Sequence, residues 1–183
     1  MRYRKDLSLY EPAGDGKGAY IYRGAYFAPR LSGKELTAWK VRIIVLSVVR
    51  LMYLYGMGRA NTVGFLQLYV TLPFLALLFF AGFGFLAGVN LFAWKDKMTL
   101  RHYSVSCKRL KISESIGLLF TALLLAAELL FSFISGGFLT EMWPLALILL
   151  NGAASGLALH LIRDNACGPV ECVGPAVPIG QGE

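Results

Sequence analysis

Charge is scarce in this chain. Only 16% of its 183 residues are Asp, Glu, Lys or Arg, against about a quarter in an average soluble domain. That scarcity excludes an intrinsically disordered chain and a charge-laced coiled coil. Cysteine is also sparse, with three in all and no compact C-x-x-C spacing, which excludes a disulfide-stapled secreted mini-domain. Two histidines, no H-E-x-x-H, no paired carboxylates and no nucleophile–base–acid set leave nothing that reads as an enzyme or calls for a cofactor. What is abundant is apolar. Hydrophobic residues make up 56% of the chain and aromatics 13%, and the mean hydropathy is +0.57. This balance points to a bilayer.

The few charges fall in blocks. Of 18 basic residues, eleven precede Asn61, six lie between Lys95 and Lys111, and the last is Arg163. Residues 60–94 and 142–162 carry no formal charge, and 115–140 carry only Glu128. A helix needs about 20 apolar residues to cross a hydrocarbon core, so each stretch is long enough. A fourth stretch, 39–57, is interrupted by Arg42 and Arg50. The positive-inside rule places the basic loop 95–114 in the cytoplasm. Only a spanning first helix then puts the N-terminal basic block on the same side, with Arg59 alone in an outer loop. The expected architecture is an all-α integral membrane protein: four transmembrane helices in an antiparallel up-down bundle, with both termini cytoplasmic. Its spans fall near 39–57, 63–94, 115–135 and 143–162, in a plasma or inner cell membrane.

Flanking signals fit this plan. Trp39 and Tyr53/Tyr55 suit aromatic belts, Ser32 and Glu35 have capping-box spacing, and Pro144 suits a first helical turn. The second stretch is long for one pass, so a kink near Pro73 or the Gly82/Gly84/Gly88 run is expected. The first apolar stretch reads as a retained span, not a cleavable signal. Residues 1–38 form a cytoplasmic N-terminal segment whose aromatics between glycines suit a short hairpin, followed by an interfacial helix. Tyr103, Val105 and Cys107 alternate with serines in a weakly strand-like way that could pair with that hairpin. Residues 163–183, rich in proline and glycine, read as a disordered tail.

Candidate functional residues are few. A charge in a span is expensive and faces the bundle interior. Counting from the expected outer ends at about 1.5 Å per residue, Arg50, Thr71, Glu128 and Asn151 fall in one polar layer. An opposite charge at matching depth removes the need for a ligand, so the preferred reading is an Arg50–Glu128 pair that fixes register. The alternative is a site for an ion, proton or small solute, with Glu128 as its titratable member. Gly84/Gly88 and Gly152/Gly156 are GxxxG pairs, and Ala122/Ala126 a further small pair, for helix packing within the chain or between protomers. His102, Cys107, Cys167 and Cys172 are weak candidates for a Cys₃His zinc site, so no metal is expected. Gly14, Gly16 and Gly18 only touch a nucleotide-loop pattern, with no strand before them and no βαβ unit after, and read as a flexible loop. The basic segments suit anionic headgroups. They are needed for topology, so nucleic acid is not an expected partner. The overall expectation is a non-enzymatic accessory, scaffold or assembly subunit, as a homo-oligomer or within a larger membrane complex. A small oligomeric transporter or channel around Glu128 is the alternative.

Overall fold

The computed structural model describes residues 10–12, 20–22, 26–28, 30–31, 33–60, 63–92, 98–136, 138–164 and 168–170. Four helices dominate: α1 (Gly33–Ala60), α2 (Leu68–Asn90), α3 (Arg109–Ser135) and α4 (Phe138–Asp164). Their 28, 23, 27 and 27 residues correspond to about 35–42 Å each. All four are long and apolar enough to cross a membrane, so this is a multi-pass membrane protein. A 3₁₀ turn (Val63–Leu66) leads into α2, and a short helix (Leu100–Tyr103) and a π turn (Ser104–Lys108) lead into α3.

Each helix packs on its neighbours in the chain, and α1 also closes on α4. The facing positions run in opposite directions. Trp39 meets Leu161, whereas Gly56 meets Leu147. Gly88 faces Ile43 and Ser47, whereas Gly58 faces Phe74. Gly84 faces Ser113, and Phe80 stacks on Phe120. The bundle is therefore a four-cornered antiparallel one in which α1 and α3 stand diagonally. Gly136, with φ +65°, caps α3 in the left-handed conformation that glycine adopts at no steric cost.

Three helices overrun the sequence-based spans, whereas α2 is shorter than the expected 63–94, because Val63–Leu66 forms a separate 3₁₀ turn and the helix ends at Asn90. α1 starts at Gly33 rather than at Trp39, and α4 at Phe138 rather than beside Pro144. Pro144 therefore sits inside α4, and Pro73 inside α2, which bundles in lipid tolerate because neighbours re-satisfy the freed carbonyls. Trp39 is no belt residue. It is 3% exposed, and its indole Nε1 donates to the Leu161 carbonyl at 2.9 Å. Tyr55, by contrast, is largely exposed.

Phe27, Leu31, Met98, Tyr103, Cys107 and Ile162 gather at one end of the bundle, and the chain also forms two small two-stranded sheets. β1 (Tyr10–Pro12) pairs antiparallel with β2 (Tyr20–Tyr22), and β3 (Tyr26–Ala28) with β4 (Gly168–Val170). Phe27 also exchanges both backbone hydrogen bonds with Met98, at 2.9 and 2.8 Å. Its N–H and C=O thus point away from β4, so Pro169, which has no N–H, occupies a position where none is required. The tail expected to be disordered therefore supplies a strand at 168–170, because Tyr26 and Ala28, on either side of Phe27, offer it a ladder edge. Residues 103–108, expected to be strand-like, are helical. Ser104 and Ser106 hydroxyls bond back to the Arg101 and His102 carbonyls at 2.8 and 2.6 Å, and helical spacing turns Cys107 and Leu110 inward. Tyr103 stacks on Phe27 with centroids 4.3 Å apart.

Candidate functional site: a polar layer between two apolar clusters

The core is in two apolar pieces. One joins Leu36, Trp39, Ile43, Leu91, Met98 and Leu110 with Ile162. The other joins Leu54, Met57, Leu77, Leu124, Phe131 and Ile148 at the opposite end. Between them every helix changes character. α1 contributes Ser47 and Arg50, α3 contributes Ser113, Glu114 and Thr121, and α4 contributes Asn151 and Ser155, all buried. α2 brings no buried polar side chain there and presents Gly84 to it instead.

Arg50 crosses the bundle diagonally from α1 and donates from Nη1 to Glu114 Oε2 on α3. The two side chains are 1% and 0% exposed. Ser155 Oγ of α4 donates to the same carboxylate oxygen at 2.6 Å. Three helices thus meet on one carboxylate, and the fourth makes room for it. A Cβ at Gly84 would lie 3.1 Å from Glu114 Oε1 and 2.9 Å from Ser113 Oγ, which itself donates to the Phe80 carbonyl of α2. A Cβ at Gly117 would lie 2.9 Å from Arg50 Nη2. One turn further along, Asn151 Nδ2 donates to Thr121 Oγ1 at 3.0 Å, and Thr121 Oγ1 donates to the Gly117 carbonyl at 2.8 Å. In a region without bulk water such partners are obligatory. Arg50 Nε and Nη2, Glu114 Oε1 and Asn151 Oδ1 nevertheless find no hydrogen-bond partner among the described residues.

The layer differs from the one expected. Arg50 and Asn151 belong to it, but Arg50 pairs with Glu114 and not with Glu128. Thr71 is outside it, in the first turn of α2, where its hydroxyl caps the Phe65 and Gln67 carbonyls at 2.5 and 3.1 Å. Glu128 is buried two heptads from Glu114, under the 3₁₀ turn, where a Cβ on Gly64 would approach its Oε2 to 3.0 Å. The longer helices explain the shift. Because α1 runs to Ala60 and α4 starts at Phe138, Arg50 and Asn151 lie about 15 and 20 Å from those ends, whereas Glu128 stays about 10 Å from the end of α3. Glu114 falls in the segment expected to be a loop, 95–114, but is helical because α3 begins at Arg109. Its signal was the spacing Glu114, Thr121, Glu128, seven residues apart, which places all three on one face of a helix.

The packing glycines divide. Gly84 packs against α3, Gly88 against α1, and Gly152 against Thr121, with a Cβ contact of 3.2 Å to its methyl. Gly156 meets nothing within 4 Å. Ala122 and Ala126 are exposed on the outside of α3. Of the zinc candidates, His102 is exposed, with its ring Nδ1 3.2 Å from Thr99 Oγ1, and Cys107 is buried in the π turn. Cys167 and Cys172 lie outside the described residues, as do the glycines of the 14–18 loop. Among the described residues no cluster of metal-ligating side chains occurs. His160 is exposed and faces Asp164 one turn on, at 3.3 Å.

The arrangement can neutralise a buried cation and lock the register of three helices. No protein family, curated protein or solved structure matches the chain, so the fold and this layer are what its function must be read from.

Proposed function

We propose that the protein is a non-enzymatic membrane subunit, an accessory, scaffold or assembly component that works through helix packing. The observation that carries this reading is the self-contained polar layer. Arg50 receives its countercharge from Glu114 of the same chain, and Gly84 and Gly117 leave no room beside the pair. A core so tightly closed suits a rigid body that presents its outer faces to partners. Gly156 and the neighbouring exposed Ala153 are the part of the α4 surface where another helix backbone could approach closely.

Under this reading both termini are cytoplasmic in a plasma or inner cell membrane. Exposed Arg30, Lys34, Arg101, Lys108, Arg109, Lys111 and Arg163 face anionic headgroups there. The unmatched polar atoms at Arg50, Glu114 and Asn151 favour a second reading, a small oligomeric transporter or channel whose site is centred on Glu114 rather than Glu128.

One pair of measurements separates them. If the subunit reading holds, the full chain in mild detergent sediments as a homo-oligomer or with a partner in fixed ratio. Gly156→Leu then releases that assembly while leaving the monomer folded. Proton or solute flux in proteoliposomes that vanishes with Glu114→Gln, at unchanged protein level, overturns it in favour of transport.

A further inference from the structure

A groove of about 310 Å³ opens between α1 and α2 at the end of the bundle away from the basic cluster. Leu51 and Tyr55 of α1 form one wall, and Phe74 and Leu78 of α2 the other. Leu51, Tyr55 and Arg59 recur every four residues, so they stand in one row along α1, and Phe74 and Leu78 make the matching row on α2. Phe65 of the 3₁₀ turn holds the Phe74 ring edge-on, with centroids 4.8 Å apart and planes at 77°. Gly58 keeps the mouth open, since a Cβ there would already stand 3.7 Å from Phe74 Cζ. Tyr55 and Leu78 are 71% and 41% exposed, so the groove opens sideways toward lipid.

Arg59 lies at the mouth of this groove. It is exposed, makes no hydrogen bond or ion pair with a described residue, and is the only basic residue between 51 and 94. From Arg59 to Leu51 the row descends about 12 Å. A cation at headgroup level above an apolar slot has the polarity of one molecule, a phospholipid: phosphate above, hydrocarbon below.

We propose that this groove holds one acyl chain of an anionic phospholipid, with its phosphate on the Arg59 guanidinium. The site is independent of the polar layer and of the assembly reading. It also accounts for a positive charge kept where the topology bias works against one.

The test is native mass spectrometry of the full chain released from nanodiscs of equal phosphatidylglycerol and phosphatidylcholine. Wild type is expected to retain one lipid, enriched in phosphatidylglycerol. Arg59→Gln lowers that enrichment about fivefold, the worth of one basic residue near a headgroup, while lipid is still retained. Gly58→Leu fills the slot and removes lipid of either headgroup. Leu78→Trp, at an exposed position, does the same should Gly58→Leu not fold. Three results overturn the proposal: no retained lipid on wild type, an unchanged lipid ratio in Arg59→Gln, or a dimer that Gly58→Leu disperses, which would put a second copy in the groove.

Discussion

Replacing Glu114 by Gln changes one oxygen for an amide and leaves Arg50, 1% exposed, without a countercharge. Shape is conserved, and the amide oxygen can still accept from Ser155, so the loss isolates the charge. Removing one partner of a buried pair costs about 3–5 kcal/mol. Arg50→Gln strands the Glu114 carboxylate in the same way. The double variant Arg50→Gln/Glu114→Gln strands neither. Because buried pairs are often replaceable by neutral groups at little cost, it should fall within about 2 kcal/mol of wild type. With each single variant costing at least about 3 kcal/mol, the coupling is then at least about 4 kcal/mol, above the 0.5–3 kcal/mol range of ordinary contacting residues. Glu128 provides the control. It lies 14 residues from Glu114, about 21 Å along α3, so Arg50→Gln and Glu128→Gln should add within about 0.5 kcal/mol. Reversible unfolding in mixed detergent micelles measures all five variants. A coupling below about 0.5 kcal/mol for Arg50 with Glu114, or a larger one with Glu128, refutes the assignment.

The glycines supply a graded set. Gly117→Ala and Gly84→Ala force shifts against Arg50 Nη2 and Ser113 Oγ, both 2.9 Å from the new Cβ, and should cost about 1–3 kcal/mol. Gly156→Ala meets nothing and should change the micelle unfolding midpoint little or raise it. Asn151→Ala breaks its bond to Thr121 and should cost about 0.6 kcal/mol, the average for such bonds in lipid; unfolding of Thr121→Val and the double variant checks that the effect is shared. Phe27 and Met98 amides, each bonded to the other's carbonyl, should exchange slowly with deuterium, and Pro169→Ala should leave both rates unchanged.

The sequence by itself determined the number of helices and their character. Three long runs with one charge or none cannot be satisfied in water or left unpaired in lipid, so three apolar helices follow from where the charges are not, and the placement of the basic blocks adds the fourth. It also marked Arg50 as a buried cation that requires a partner, because an isolated charge in a span is too costly to keep. Which acid answers it was decided only by the tertiary structure. Glu114 and Glu128 share one face of α3, and the choice between them depends on how far α1 and α4 run past their apolar stretches. Arg50's reach across the bundle also required small residues on two other faces, at Gly84 and Gly117, and nothing in a single span reveals what stands opposite a glycine. Nor did local pattern foretell that β3 would be bridged by Met98 and by the tail, since an isolated strand has no stability of its own and takes its partners from the fold. Scarcity of charge set the solvent for this chain. The placement of the charges within it was settled by helix length and packing.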